Sequence, residues 1–182
     1  MPSGSQGDDV PPTVCIVGRK NSGKTTLTVA LVAELKRRGH RIATIKHGHH
    51  AFESDEPGRD SWRHFNEGGA DASMMCGTGK VALTLRIDGE PDPVALVRDF
   101  YAGRGYDLVV VEGFKNAPLP RIEVFRRALH DRPLLDADTP GRCLGIVTDD
   151  AALVVPCPVI ELDPGGAHVA TVADLLESLL RG

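Results

Sequence analysis

The alternation of apolar and polar residues predicts a series of short strands and amphipathic helices. Residues 13–18 (TVCIVG) are apolar and rich in β-branched side chains, which is typical of a strand buried on both faces. From Lys24 the apolar residues recur at helical spacing until a basic turn and Gly39, the usual end of a helix. A second strand over 41–46 completes a strand–helix–strand unit, which is typical of parallel sheets.

The rest of the chain continues this alternation. His47 to Arg59 is polar and predicts a long loop, and such loops in compact domains are often functional. We therefore expect an α/β fold of three layers, with a mostly parallel sheet flanked by helices, as one domain over 13–182. Further strands are predicted over 72–76, 80–87, 108–111, 121–125, 143–148 and 159–162, and further helices over 60–67, 91–102 and 172–180.

Composition and charge exclude several classes of protein. The chain has 182 residues, of which 41% are hydrophobic, so an ordinary core is available and global disorder is excluded. The net charge is −4, so the chain as a whole lacks the excess of basic residues typical of nucleic-acid-binding proteins. No apolar run approaches the roughly 20 residues that span a bilayer. Four widely spaced cysteines fit buried thiols in a reducing compartment. We expect a soluble, cytoplasmic protein whose residues 1–12, unlike a secretory signal, form a disordered tail.

The turn between the first strand and the first helix carries the most specific motif. Residues 18–25 (GRKNSGKT) match G-x-x-x-x-G-K-[ST] at every position, and the motif leaves a strand and opens a helix. In such a P-loop the backbone N–H groups cradle phosphates, Lys24 contacts the β- and γ-phosphates, and the Thr25 hydroxyl binds Mg²⁺. The sequence thus predicts a P-loop NTPase with Lys24 as a catalytic residue. The predicted nucleotide-binding residues here are Gly18, Arg19, Lys20, Asn21, Ser22, Gly23, Lys24 and Thr25.

Acidic residues elsewhere are candidates for completing this site. Glu112 directly follows an aliphatic strand, where a P-loop protein needs a second carboxylate near Mg²⁺; a surface turn is the alternative. Asp55 or Asp60 could complete the Mg²⁺ shell or orient water, or else be a turn residue and a helix cap. Asp149 follows another strand, where many P-loop GTPases place the aspartate that reads guanine, although the lysine usual in that motif is missing.

A histidine-rich loop follows the second strand. His47, His49 and His50 suggest a Zn²⁺ or Ni²⁺ site, but neighbouring residues point in different directions and no cysteine is adjacent. The alternatives are a plain polar loop, or a role in binding nucleotide or a partner at the edge where open α/β sheets bind ligands. Four basic residues after Glu112 are candidates for binding an anionic substrate or partner, namely Lys115, Arg121, Arg126 and Arg127. For Arg126 and Arg127 the alternative is a solvated surface.

Several segments taken together resemble one family. GRKNSGKTT, IKHGHH, DEPGRDSWRH, EGGA and VVVEGFK occur in this order over roughly two thirds of the chain. They resemble the molybdopterin-guanine dinucleotide biosynthesis adaptor protein B (MobB) family. The P-loop alone is generic, whereas the Lys-His-x-His-His loop and the Glu-Gly-Phe-Lys segment are much more particular to that family.

The resemblance implies a homodimeric protein that binds GTP and Mg²⁺ and hydrolyses GTP slowly, more an adaptor than an enzyme. It implies a partnership with the guanylyltransferase that attaches GMP to molybdopterin, and makes molybdopterin itself a candidate partner. Residues 18–26, including Thr26, would carry the phosphate site, Thr25 with Glu112 the Mg²⁺ site, and Asp55 a role in binding Mg²⁺ or water. Arg19 stands where related proteins often have a signature lysine, and Lys20 is a candidate to reach across a dimer instead.

Two other functions are compatible with the residues. An ATP-dependent ligase or kinase of the dethiobiotin synthetase type has a similar Glu-Gly after an apolar strand, but it needs a substrate pocket for which this chain is short. A GTP-driven nickel or cobalt metallochaperone would use His47, His49 and His50, yet the chain lacks a Cys-Pro-His-type ligand set.

Overall fold

The computed structural model describes residues 9–48, 55–135 and 139–180. All twelve predicted strands and helices are present in them, although the last helix begins at Ala167 rather than at residue 172. In chain order the elements are β1 (Thr13–Val17), α1 (Lys24–Arg37), β2 (Ile42–Lys46), α2 (Asp60–Asn66), β3 (Ala72–Gly77), β4 (Lys80–Leu85), α3 (Pro93–Tyr101), β5 (Leu108–Glu112), β6 (Arg121–Phe125), β7 (Cys143–Thr148), β8 (Val159–Glu161) and α4 (Ala167–Leu180).

The elements belong to two compact units. The first unit contains the residues up to His47 and those from Asp92 onward, and the second comprises Gly48–Pro91. In the first unit, Asp9 O accepts a hydrogen bond from the Gly103 N–H at 3.1 Å. No helix among the described residues is both long enough and apolar enough to cross a membrane.

Six parallel strands of the first unit form one sheet in the order β2-β5-β1-β6-β7-β8. The consecutive strands β1 and β2 are not neighbours, because β5 lies between them. Ile16 of β1 and Lys46 of β2 are both in register with Glu112, the last residue of β5. The carboxyl ends of these three strands therefore meet at one edge of the sheet.

Alternate residues of β1 face opposite helical layers. Val14 and Ile16 pack in one core cluster with the apolar stripes of α1 and α4, whereas Cys15 and Val17 pack in another with Val97 of α3. The aliphatic residues of β5 are completely buried, as expected of an interior strand covered on both faces. This arrangement confirms the predicted three-layer α/β fold.

A charged cluster joins the end of α1 to α4. Arg38 Nη1 donates to Asp174 Oδ1 at 2.6 Å and to Glu177 Oε2 at 3.1 Å, and its Nε donates to Glu34 Oε1 at 2.8 Å. Hydrogen bonds from Arg37 and then Arg38 lower the pKa of Glu34 to about 2. The cluster therefore connects the first and last helices of the unit through ionised side chains.

The second unit consists of α2 and an antiparallel hairpin of β3 and β4. Directly paired residues of an antiparallel hairpin point to the same face, and here Met74 pairs with Leu83 and Cys76 with Val81. One face is consequently apolar, and its large side chains are exposed, Val81 by 66%. This apolar hairpin face consists of Ala72, Met74, Cys76, Val81, Leu83 and Leu85.

Candidate functional site

The P-loop turns sharply from β1 into α1 and packs against β6. Gly18 has a φ of 149°, and a Cβ atom there would lie 2.4 Å from Val124 O and 2.7 Å from Ser22 Oγ. Gly23 precedes α1 with a φ of 99°, a left-handed conformation that glycine adopts readily. The backbone path itself therefore requires both glycines of the motif.

The side chains of the loop fit a phosphate ligand. Lys24 Nζ donates to Arg19 O at 2.7 Å across the loop. Burial lowers the pKa of Lys24, Glu112 acts in the opposite direction, and Lys46 adds to the lowering. Ser22 Oγ is buried and has no hydrogen-bond partner among the described residues. A constrained ammonium, an unused buried hydroxyl and the start of a helix form a donor set that suits a phosphate.

Thr25, Glu112 and Lys46 meet where α1 begins and where β5 and β2 end. Glu112 is 7% exposed, and its Oε1 accepts hydrogen bonds from Thr25 Oγ1 at 2.7 Å and from Lys46 Nζ at 2.5 Å. Lys46 Nζ also lies 3.4 Å from Thr25 Oγ1, so its ammonium contacts both oxygens that the sequence assigns to Mg²⁺. A carboxylate with a neighbouring hydroxyl is a donor set that Mg²⁺ binds.

Lys46 is a site residue that the sequence interpretation missed. Its position next to Glu112 depends on β2 pairing with β5 rather than with β1. The available signal was its place at the end of a predicted strand, directly before the histidine-rich loop. Because the sequence does not give the strand order, this position alone could not show that Lys46 lies next to Glu112.

The turn after β5 holds His47 in place. The His47 and Phe114 rings stack with centroids 4.2 Å apart and planes 17° apart, and Phe114 has a φ of 49°, unusual for a residue other than glycine. His49 and His50 lie outside the described residues. Within 9–48, 55–135 and 139–180, no group of three or more His, Cys, Asp or Glu side chains is arranged to hold a metal ion.

Asp55 lies in the second unit. Its carboxylate accepts hydrogen bonds from the Ser61 hydroxyl and, at 2.8 Å, from the Glu56 N–H, and these bonds lower the pKa of Asp55. Its role in binding Mg²⁺ or water stays a prediction. Asp60 is the first residue of α2, and the N-cap position belongs to Arg59, so the interpretation of Asp60 as the cap is wrong.

Asp149 follows β7 at the same sheet edge as the P-loop. Its carboxylate accepts hydrogen bonds from Arg126 Nε at 2.8 Å and from the Arg127 N–H at 2.7 Å. Burial alone would raise the pKa of Asp149, but these hydrogen bonds outweigh it and the pKa is lowered. To bind guanine, the Asp149 carboxylate would have to accept hydrogen bonds from the base as well as from Arg126. The guanine-binding role of Asp149 stays a prediction.

The basic residues after Glu112 have different environments. Arg121 is 3% exposed and donates from Nη1 to Lys115 O at 3.1 Å, so its side chain is buried. Arg126 is half-buried against Asp149, and Arg127 is exposed. Close to the P-loop, His130 Nε2 lies 3.2 Å from Lys20 O.

Comparisons with known proteins agree with this geometry. The family model of MobB, molybdopterin guanine dinucleotide synthesis protein B, matches residues 13–149. A molybdopterin-guanine dinucleotide biosynthesis adapter protein from Haemophilus influenzae is 37% identical over 131 residues, 70% of each chain. The Escherichia coli K12 protein of that name is 34% identical over 131 residues, 70% of this chain and 73% of its own. A crystal structure of molybdopterin-guanine biosynthesis protein B has a TM-score of 0.67 and 28% identity, covering 93% of this chain and 99% of that chain.

Proposed function

Because this chain belongs to the MobB family, we propose that it is an adapter in molybdopterin guanine dinucleotide biosynthesis that works by binding GTP. The matched region includes the P-loop, Lys46, Glu112 and Asp149. The adapter would present GTP to the guanylyltransferase that attaches GMP to molybdopterin, with molybdopterin as a further candidate partner.

The observation that carries the nucleotide part of this proposal is the hydrogen bond from Thr25 to the buried Glu112. Thr25 and Glu112 would hold Mg²⁺, which when bound neutralises charge on the β- and γ-phosphates. The P-loop and Lys24 would bind the phosphates themselves. The Lys46 ammonium forms an ion pair with Glu112 and contacts both Glu112 Oε1 and Thr25 Oγ1. When a metal ion binds these oxygens, the ammonium has to leave at least one of them.

We propose slow hydrolysis of GTP as a secondary property of this site. Lys24 would offset the charge that develops on the transferred phosphoryl group. Asp55 is the proposed residue for Mg²⁺ binding or water positioning, and Asp149 is the proposed guanine reader. These roles predict that Asp55→Asn lowers the hydrolysis rate at saturating GTP, whereas Asp149→Asn lowers the preference for GTP over ATP.

A homodimer is the proposed oligomeric state, with the apolar hairpin face as its contact. Large contiguous apolar patches on a protein surface usually mark an interaction site. A second copy supplies the same apolar face, so a two-fold contact would cover both hairpins at once. The apolar hairpin face carries no charged residue, which favours a second copy of this chain over an acidic or basic partner.

Calorimetric titration with GTP and with ATP, each in Mg²⁺ and then in EDTA, tests the nucleotide proposal. We expect binding that depends on Mg²⁺ and is much tighter for GTP. A preference for ATP would instead favour the ligase or kinase of the dethiobiotin synthetase type. The adapter role is tested separately by binding to purified guanylyltransferase with and without GTP, and absence of binding in both conditions would contradict it.

A further inference from the structure

Two thiols lie together at the sheet edge opposite to the P-loop. Cys143 is the first residue of β7, and Cys157 lies just before β8 begins at Val159. Because β7 and β8 are parallel neighbours, their amino ends are adjacent. The two sulfur atoms are 2.8 Å apart, closer than van der Waals contact, whereas a disulfide bond measures about 2.05 Å. Closing the remaining gap requires little movement of either strand.

The environment of the pair differs from that of the other cysteines. Cys143 and Cys157 are half-buried and both line a cavity of about 480 Å³, through which a small oxidant can reach them. Cys15 is buried in the central strand β1, and Cys76 is exposed on the hairpin. The expectation of four buried thiols is therefore wrong, since only Cys15 is fully buried.

We infer that Cys143 and Cys157 form a redox-active dithiol that a hydroperoxide converts to an intramolecular disulfide. The two thiols together lose two electrons and two protons, and the O–O bond of the hydroperoxide breaks. The products are the disulfide, one water and the alcohol of the hydroperoxide, or two waters when the oxidant is hydrogen peroxide. Neither GTP nor the P-loop takes part in this reaction.

The reaction proceeds in two steps. One of the two sulfurs takes an oxygen atom from the hydroperoxide and becomes a sulfenic acid, and the alcohol, or water when the oxidant is hydrogen peroxide, is released. The second thiol, whose sulfur lies 2.8 Å from the first, then displaces hydroxide from the sulfenic acid and the S–S bond forms. The proton of that second thiol leaves with the hydroxide as water.

The disulfide would hold β8 against β7. The Ile146 N–H donates to Pro158 O at 2.8 Å and the Leu162 N–H to Thr148 O at 2.7 Å, so these two amides report the opening of the edge strand. A bond between residues 143 and 157 closes a short ring, and a ring of this length shifts the unfolding equilibrium by roughly a hundredfold toward the folded state. Oxidation would therefore stabilise the edge of the sheet.

Peptide mapping tests the pairing directly. Reduced protein is treated with hydrogen peroxide, quenched, denatured, alkylated and digested with trypsin. Residues 143–181 contain no internal Lys or Arg, so both cysteines appear in one peptide. We expect this peptide without alkyl groups and lighter than the dithiol form by two hydrogen atoms, together with slower amide exchange at Ile146 and Leu162. Retention of two alkyl groups on the peptide, under conditions that oxidise the exposed Cys76, would overturn the inference.

Single variants test the sulfenic acid step. Without a second thiol to displace the hydroxide, dimedone should trap a sulfenic acid on the remaining cysteine in Cys143→Ser, in Cys157→Ser or in both, whereas the parent protein should give no adduct at either position. Serine is close in size to cysteine, so we expect the far-UV circular dichroism of both variants to match that of the parent protein. Absence of an adduct in both variants would contradict the two-step reaction, as would an equal adduct in the parent protein.

Discussion

The Lys46 ammonium lies 2.5 Å from the same Glu112 oxygen that accepts the Thr25 hydroxyl. The protein therefore supplies its own cation, the Lys46 ammonium, in contact with the proposed metal ligands. The side chain of Lys46 is 63% exposed, so it can leave the carboxylate without breaking the core. Any metal ion that binds Glu112 competes with this ion pair.

Removing the Lys46 charge should tighten metal binding to the nucleotide-free protein. We expect Lys46→Met to increase Mn²⁺ affinity, measured by electron paramagnetic resonance, by roughly two- to fivefold, which is typical of an exposed ion pair. Lys36→Met, at an exposed lysine of α1, is the matched control and should leave the affinity unchanged. Unchanged or weaker binding in Lys46→Met would contradict the competition.

Lys24→Ala should weaken nucleotide binding without affecting the fold. Loss of hydrogen bonds from a charged donor to phosphate predicts an affinity roughly ten- to a hundredfold lower in calorimetry. The far-UV circular dichroism should match that of the parent protein, since Lys24 packs against the loop rather than in either core cluster. Lys36→Ala serves as the control on the same helix, and equal GTP affinity of the two variants would refute the phosphate assignment.

Glu112→Gln should remove the dependence of nucleotide binding on Mg²⁺. The amide keeps the shape of the side chain and an oxygen acceptor for Thr25, but it lacks the charge that a divalent cation needs. We expect the affinities measured in Mg²⁺ and in EDTA to become nearly equal. Glu161→Gln, at the exposed end of β8, should behave as the parent protein. A full Mg²⁺ effect in Glu112→Gln would place the metal elsewhere.

Acid should weaken the α1–α4 cluster in a defined pH range. The pKa of Glu34 falls from 4.5 to about 2 on folding, chiefly through hydrogen bonds from Arg37 and Arg38. The ionised carboxylate thus stabilises the native state above pH 4.5, and this stabilisation is lost as pH falls from 4.5 through about 2. Denaturant titrations at several pH values should show a smaller loss over this range for Glu34→Gln than for the parent protein. If the stability of Glu34→Gln and of the parent protein depended on pH in the same way, Glu34 would not contribute to the acid sensitivity of the fold.

A charge on the apolar hairpin face should dissociate the proposed dimer. We expect Leu83→Asp to be a monomer in light scattering at concentrations where the parent protein is a dimer, because burying an unpaired carboxylate is costly. Ala82→Asp, on the opposite face of the same strand, is the matched control and should leave the dimer intact. If Ala82→Asp dissociates the dimer and Leu83→Asp does not, the contact lies on the other face.

The features that the sequence predicted are local ones. The P-loop and the strand that ends in Glu112 follow from residue types over short windows, because strand burial and turn geometry depend on neighbours in sequence. Thr25 and Glu112 could be brought together by analogy with other P-loops, although 87 residues separate them. The sequence was therefore informative wherever a motif fixes its own geometry.

The features that the sequence did not predict depend on the strand order of the sheet and on which surfaces are covered by other parts of the chain. Lys46 reaches Glu112 because β5 lies between β2 and β1, which no local pattern specifies. Arg121 begins a strand that is buried throughout, so a residue type normally found on surfaces lies in the interior. The apolar hairpin face had the same alternation as a core strand, and only the structure shows that its side chains are exposed.

The position of β1 between β5 and β6 also has a consequence for synthesis on the ribosome. Neither β1 nor β2 pairs with the other, so both need β5 before either has a neighbour in the sheet. At roughly 5–20 residues per second, the nascent chain would carry an unpaired apolar strand and the apolar stripe of α1 for several seconds. The apolar surface of β1 and α1 would thus stay exposed until β5 has left the ribosome, and a pause in translation before Leu108 would prolong this exposure.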